Sequence, residues 1–426
     1  MPGSSTPAPG ADAAPLRILL GCDTFAPDIN GSASFAQRLA VQLTKRGHDV
    51  HVVAPAPTGV RAGVHRERYD GVEITAHRWY SWRWLPHPWV RFALPWRAKA
   101  NGRKTIAAVK PDVVHFQSHM VVGGGLVEPA KASGVRIIGT NHTMPENIAQ
   151  HVEILPWFIV KQLVKIQWRS AARVFGYADE ITTPTRRSSD YFEKMTGIRG
   201  VHAISNGIDA SRYTPDFSPR SENRIVFVGR LDEEKHVDEL IRATEKLPAE
   251  LDVKVDIVGI GEDRDRLERL SRSLRVDDRV IFHGKVSDDE LQGILTRGSV
   301  FAMPSRAELQ CIAAMEAMAT ALPVIAANAM ALPHLVHEGE NGHLFEPGDV
   351  DTFAAQLESV LTAEPAEYER MKRASQKIVS RHSLEATVDL FERMYRGESV
   401  VDPDPDADTG PVAVKRPAKG ARAKKG

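Results

Sequence analysis

The sequence predicts an α/β protein made of two doubly wound parallel-sheet domains facing a central cleft, and three observations carry the two-domain α/β reading. The chain has 426 residues, more than one hydrophobic core ordinarily serves, so two domains of similar size are expected. Residues 16–54 read as a buried strand, a loop, a helix and a second strand, which is one βαβ unit. Residues 301–333, FAMPSRAELQCIAAMEAMATALPVIAANAMALP, read as another: a strand end, a turn at Pro304 to Arg306, a helix-pattern run holding Glu308 and Glu316, and a strand from Val324 to Ala327. In such units the ligand docks at the turn that opens the helix, where unpaired N–H groups and the helix dipole favour a diphosphate.

Bulk properties exclude more than they assign. Lysine plus arginine equals aspartate plus glutamate, 55 against 55, so net charge names no partner and any basic patch is local. The two cysteines, Cys22 and Cys311, rule out a disulfide framework and favour a reducing, cytoplasmic setting. Residues 1–14, rich in Pro, Ala, Gly and Ser, read as a disordered tail without a secretory n-region, and no run of about 18 apolar residues suggests a spanning helix.

Taken in order, the first strand is LRILLGCD, followed by a loop containing Gly31 and a helix from Phe35 to His48. A glycine there lets another molecule approach the backbone. PDVVHFQSH and VRIIGTNH read as further strands, the second ending at His142. A histidine at the carboxyl end of a parallel strand faces the ligand crevice; His115 and His119 read as core or rim residues. ADEITTPTRRSSDYF is a strand, loop and helix start, and the Asn-, Gly-, Asp- and Pro-rich stretch after it marks an interdomain connection between about 200 and 222. RIVFVG then runs into Arg230, Lys235 and a helix; a guanidinium fork and an ammonium both suit a diphosphate. VKVDIVGIGEDRDRL and RVIFHGKV, with Val286, supply two more strand ends. The DPDPDAD run in the acidic, then basic, tail 398–426 has no framework to fix its oxygens, so no metal site is assigned.

Residues 77–110 differ in composition from the rest. Five of the seven tryptophans lie at 79, 82, 84, 89 and 96, amid arginines and lysines, with no acidic residue before Asp112. Trp82, Trp84 and Trp89 with Arg97, Arg103 and Lys104 suit the headgroup layer of an anionic membrane. A core-packed tryptophan cluster with a basic rim is the competing reading. Nucleic acid is disfavoured by the neutral chain and the lack of a recognisable module.

The order Arg230, Lys235, Glu308, Glu316, with PxS before the glutamates, resembles the signature of retaining glycosyltransferases of family 4. The resemblance spans about residues 16–397 and implies a GT-B fold and a UDP- or GDP-hexose donor, with no tightly bound cofactor. By that resemblance Arg230 and Lys235 neutralise the leaving diphosphate, Glu308 holds sugar hydroxyls, Glu316 holds the ribose, and His142 sits beside the reacting carbon. Gly31, Leu309, Gln310, Cys311 and Ile312 line the donor, and Val286 lies near the base. The chain departs from the family pattern where glycine is usual: His236 follows Lys235, Leu309 and Cys311 replace the glycines of E-G-F-G-L, and Ala321 precedes the x-P-V step. His334 stands where Glu often follows L-P. The ELQ form resembles glycolipid-making members.

Together these imply a tail 1–14, an acceptor-side domain 15–205, a nucleotide-sugar domain 206–382, a helix 383–397 crossing back, and a tail 398–426. The function implied is a peripheral-membrane retaining hexosyltransferase acting on a lipid such as a diacylglycerol or phosphatidylinositol type. The alternatives are the same transfer to a soluble acceptor (inositol phosphate or an oligosaccharide) or a non-catalytic nucleotide-sugar or membrane binder. A glycosidase reading is set aside because both glutamates read as lying on one helix, which cannot easily make such a pair: eight residues rise roughly 12 Å, whereas glycosidase carboxylates sit about 5 to 9.5 Å apart. Oligomeric state is not legible.

Overall fold

The structure, a computed structural model, describes residues 14–28, 30–83, 91–146 and 156–401. Trp84, Trp89 and most of both terminal tails lie outside the described residues. The first domain comprises β1 (Arg17–Gly21), α1 (Gly31–Lys45), β2 (Asp49–Pro55), β3 (Gly63–Tyr69), β4 (Val72–Trp79), the ribbon β5 (Ser81–Arg83) and β6 (Arg91–Ala93), and α2 (Pro95–Val109). It continues through β7 (Val113–Phe116), α3 (Val121–Ala132), β8 (Arg136–Thr140), α4 (Trp157–Phe175), β9 (Glu180–Thr183), α5 (Arg186–Thr196) and β10 (His202–Ala203). Its main sheet has the order β10-β9-β8-β7-β1-β2-β4-β3. Strands such as VVHF are buried along their whole length, as a parallel sheet covered on both faces requires.

The chain turns away from β1 in both directions, so the switch point lies between β1 and β7, and ligands of doubly wound sheets bind outside such a point. The second domain repeats the plan with β11 (Arg224–Val228), α6 (Val237–Lys246), β12 (Lys254–Val258), α7 (Arg264–Ser273), β13 (Val280–Gly284), α8 (Asp288–Arg297) and β14 (Val300–Met303). Then come α9 (Ile312–Ala319), β15 (Val324–Ala327), β16 (Gly342–Phe345), α10 (Val350–Thr362) and α11 (Pro365–Val379). Its parallel sheet, β13-β12-β11-β14-β15-β16, has its switch point between β11 and β14.

A final helix, α12 (Leu384–Tyr395), returns to the first domain. Val388, Phe391 and Met394 join the same buried cluster as Phe35 and Leu39. The Tyr395 hydroxyl lies 2.7 Å from His115 Nδ1, and His115 Nε2 lies 2.7 Å from Thr140 Oγ1, which makes His115 a core residue.

Three readings of the sequence are corrected and one element is added. Helix α1 begins at Gly31 rather than Phe35, because Asn30 accepts the Ala33 N–H and caps it. Glu308 is not helical: α9 starts at Ile312, so the two glutamates do not share a helix. The β3–β4 hairpin was not read; its Asp70-Gly71 turn has both φ angles positive, +47° and +78°, the chemistry of a two-residue hairpin turn. The stretch 398–401 is described, and Val400 is buried against the first core.

Candidate active site

The two switch points bring the loops after β1 and β7 opposite the loops after β11 and β14. On the second-domain side the charges of the loops that open beside β11 and β14 form one paired cluster. Arg230 Nη2 donates to Glu234 Oε1 at 2.7 Å, and Arg230 Nη1 binds Asp232. Lys235 Nζ lies 2.5 Å from Glu308 Oε1 and 3.9 Å from the same Glu234 oxygen. Arg230, Lys235 and Glu308 thus meet around Glu234, a residue the sequence reading passed over. Burial pulls the Lys235 ammonium toward neutrality, but Glu308 and Glu234 outweigh it and its pKa is raised. Burial likewise pushes the Glu308 carboxyl up, and Lys235 reverses this to hold it below the usual range.

Glu316, 7% exposed, reaches across the interdomain space to Arg38 of α1, with Nη2 to Oε1 at 2.7 Å. The Tyr213 phenol lies near Glu316; burial first, then the Glu316 charge, pushes its pKa up. A β-carbon on Gly31 would lie 3.9 Å from Ile312 Cδ1, so the start of α1 faces the start of α9. Leu309 and Gln310 close the domains together rather than presenting free polar groups. The Leu309 carbonyl accepts from Thr185 Oγ1 (3.1 Å) and Ser188 Oγ (3.0 Å). Gln310 accepts the Asn206 N–H at 2.8 Å and donates to Ser205 Oγ at 2.7 Å. Val286 lies two residues past the carboxyl end of the edge strand β13, half-buried against the second-domain core.

Three family-glycine positions keep a glycine conformation without glycine. His236, Cys311 and Ala321 have φ of +49°, +61° and +70°, a left-handed geometry that costs an L-residue roughly 1–2 kcal/mol. Cys311 is buried and burial pushes its thiol well above the ordinary value. Arg306 pairs with Glu239 beside His236, whose pKa burial lowers, with Arg306 acting in the same direction.

On the first-domain side Arg38 pairs with Glu316, and Asp23, just after β1, accepts from Ser118 Oγ and the Val122 N–H, but several polar groups have no partner. His142 lies two residues past β8, its ring 5.0 Å from that of Phe35, and burial lowers its pKa to about 3. Its Nε2 is buried without a hydrogen-bond partner among the described residues, as are Gln117 Nε2 and Oε1, Asn206 Oδ1 and Arg38 Nη1. Gln117 directly follows β7 and is 1% exposed. Buried polar groups are normally satisfied, so each of these invites a ligand hydroxyl or water. The signal for Gln117 was available: it directly follows a buried strand of a doubly wound sheet.

The tryptophan stretch divides. Trp79 is core, 6% exposed, and Arg78 is buried in a pair with Glu67, so neither faces outward. Lys99 pairs with Glu128. Trp82 and Trp96 are 49% and 68% exposed, with ring centroids 5.8 Å apart, and Arg97, Arg103 and Lys104 are exposed on α2. No helix among the described residues is long and apolar enough to cross a membrane.

Two facing parallel-sheet domains, with cations and carboxylates gathered at the second switch point, define a GT-B fold, and the family matches that follow make it that of a nucleotide-sugar-dependent hexosyltransferase. Two family models match the chain, Glycosyltransferase Family 4 over residues 29–212 and Glycosyl transferases group 1 over 215–378. The chain belongs to glycosyltransferase family 4. It is 29% identical over 273 residues to the sulfoquinovosyl transferase SQD2 of Arabidopsis thaliana, a match covering 60% of this chain and 51% of that protein. It is 28% identical over 375 residues to a GDP-mannose-dependent alpha-mannosyltransferase of Mycolicibacterium smegmatis, covering 85% and 92% of the two chains. In fold it is similar to the sucrose-phosphate synthase of Thermosynechococcus elongatus, with TM-score 0.74, 19% identity, and 89% and 98% of the chains covered. The Anabaena protein HepE in complex with UDP-glucose gives 0.69 and 17%, over 90% and 100%.

Proposed function

We propose that this chain is a retaining α-hexosyltransferase that moves glucose or mannose from a UDP- or GDP-sugar to a membrane lipid of the diacylglycerol or phosphatidylinositol type. It works from the cytoplasmic side as a peripheral protein. The observation that carries the reading is the Arg230–Glu234–Lys235–Glu308 cluster at the second switch point. An incoming diphosphate takes over the two cations, and Glu308 turns to the hexose hydroxyls. Glu316 leaves Arg38 for the ribose.

As the bond from sugar C1 to the diphosphate oxygen breaks, the acceptor oxygen bonds to C1 on the same face. Its proton passes to the departing diphosphate oxygen. Arg230 and Lys235 stabilise the charge growing there, so the reading invokes no metal or tightly bound cofactor. Neutral His142 supports the sugar beside C1 and excludes water. Relatives named for transferring sulfoquinovose and mannose support hexosyl transfer, and the exposed Trp82–Trp96 pair supports an acceptor at a membrane surface.

The test is a thermal-shift screen of UDP-glucose, GDP-mannose and UDP-N-acetylglucosamine, followed by transfer assays on diacylglycerol- and phosphatidylinositol-containing vesicles read by mass spectrometry. One donor should stabilise the protein and yield an α-linked glycolipid. Transfer only to soluble inositol phosphate or oligosaccharide would refute the lipid acceptor; donor binding without turnover on any acceptor would refute the enzyme.

A further inference from the structure

Helix α4 has three faces at helical spacing rather than two. Trp168, Ala171, Val174 and Phe175 enter the core. Lys161, Lys165, Arg169 and Arg173 recur every four residues as a basic stripe. Ile159, Leu163 and Ile166, at i, i+4 and i+7, form a second apolar stripe that is 36%, 42% and 49% exposed. At 100° per residue the outward apolar stripe lies roughly 120° from the core stripe, so no rotation of the helix buries both. Trp157 and Phe158, 69% and 68% exposed, add apolar surface at the first turn on the other two faces of the helix. None of the 19 residues is acidic.

The position of this stripe matters as much as its composition. α2 leads into the start of β7 and α4 into the start of β9, so both helices begin at the carboxyl, cleft-facing end of the first sheet. α3 packs against both. The exposed Trp96 of α2 and the outward stripe of α4 therefore stand on either side of α3, at one end of the domain.

We infer that the outward face of α4 is a membrane-contact surface for anionic lipid, forming with Trp82 and Trp96 a two-point attachment that holds the acceptor side of the cleft against the bilayer. The apolar stripe enters the acyl boundary while the adjacent basic stripe meets lipid phosphates. A second copy of the chain is disfavoured as the occupant, because an isologous contact would set the two basic stripes against each other. The inference deepens the lipid-acceptor reading and rests on it for what the attachment serves.

The buried state of Cys22 and Cys311 allows a direct test, since a thiol introduced by Leu163→Cys is the accessible one for labelling. The full-length variant, labelled with a polarity-sensitive fluorophore, should emit as in water when free and shift to the blue on vesicles containing phosphatidylglycerol. It should not shift on pure phosphatidylcholine, and high salt should weaken the effect. Leu163→Asp with Ile166→Asp should lower vesicle binding at least tenfold while transfer to detergent-solubilised lipid persists. An unshifted dye on anionic vesicles overturns the inference. So does a dye already blue in buffer, from a second copy if the shift depends on protein concentration and from the chain itself if it does not. Glycolipid formed in detergent with an unshifted dye would sink this inference alone; a blue shift without any lipid product would sink only the acceptor reading.

Discussion

The two walls of the cleft solve the same problem in opposite ways. The second-domain wall is charged and paired, with Arg230 and Lys235 neutralised by Asp232, Glu234 and Glu308. On the first-domain wall Asp23 and Arg38 have partners, but Gln117 and the Nε2 of His142 are buried without them. A paired wall accepts an anion by exchanging one carboxylate for another, whereas unpaired polar groups are completed by hydroxyls of a sugar or acceptor. The contrast teaches that stability and activity should move together on one wall and apart on the other.

The largest effect is expected on the charged wall. Lys235→Ala should cut kcat by about 10²–10³-fold, the usual loss for one donor to a developing oxyanion. It should also lower the thermal midpoint, because Glu308 is left buried without its cation; steady-state kinetics and calorimetry check both.

Acid should separate the walls next. His115 and His142 have pKa values lowered to about 3 by burial. The unfolded chain therefore binds more protons between about pH 6.5 and 3, and each histidine removes stability as pH falls, at up to about 1.4 kcal/mol per pH unit. Glu308 acts lower, since its depressed folded pKa keeps its contribution until pH falls below the ordinary carboxylate range. Hydrogen exchange at pH 5 should show the first domain loosening before the second; equal loosening breaks the comparison.

On the first-domain wall the signs should oppose. Gln117→Met should raise stability by about 1–3 kcal/mol, because it removes buried polar atoms that have no partner, yet slow transfer to the acceptor. Urea unfolding beside transfer kinetics decides it, and a destabilised Gln117→Met would mean that the amide is satisfied in the resting protein. Arg38→Ala should tighten nucleoside diphosphate binding up to about tenfold, worth 1.4 kcal/mol, since Glu316 no longer has to leave an ion pair; calorimetric titration reads it. The smallest effect is expected from Ala321→Gly, which should add about 1 kcal/mol by relieving a left-handed residue, measured by denaturant midpoint.

Much of the fold was legible because parallel strands such as VVHF and VIAA are unbroken apolar runs and their loops carry turn chemistry. The β3 strand, GVHRERY, was missed because it is an edge strand with few buried side chains, so only the Asp-Gly turn announces it. In the site, Arg230, Lys235 and Glu308 could be named from order and spacing, but Glu234 between two cations resembles any surface acid. Arg38 was illegible for a different reason. Its partner Glu316 is 278 positions away, and no local pattern encodes a contact made by domain packing. The outward stripe of α4 shows the opposite limit: its period is written in the sequence, but which of two apolar stripes meets the core depends on neighbours.

The chain passes between the lobes twice, and the two passages are stitched to each other. Ile208 N–H donates to the His382 carbonyl, Leu384 N–H to the Ile208 carbonyl, and Thr387 Oγ1 to the Ser205 carbonyl. Gly207, at φ +66°, leaves no room there, since a β-carbon would come within 2.6 Å of Leu384 Cα. Two covalent spans side by side behave like the knuckles of a door. Turning about their common line leaves both spans unstrained, while shear and twist strain both at once, so the paired spans favour one direction of relative movement.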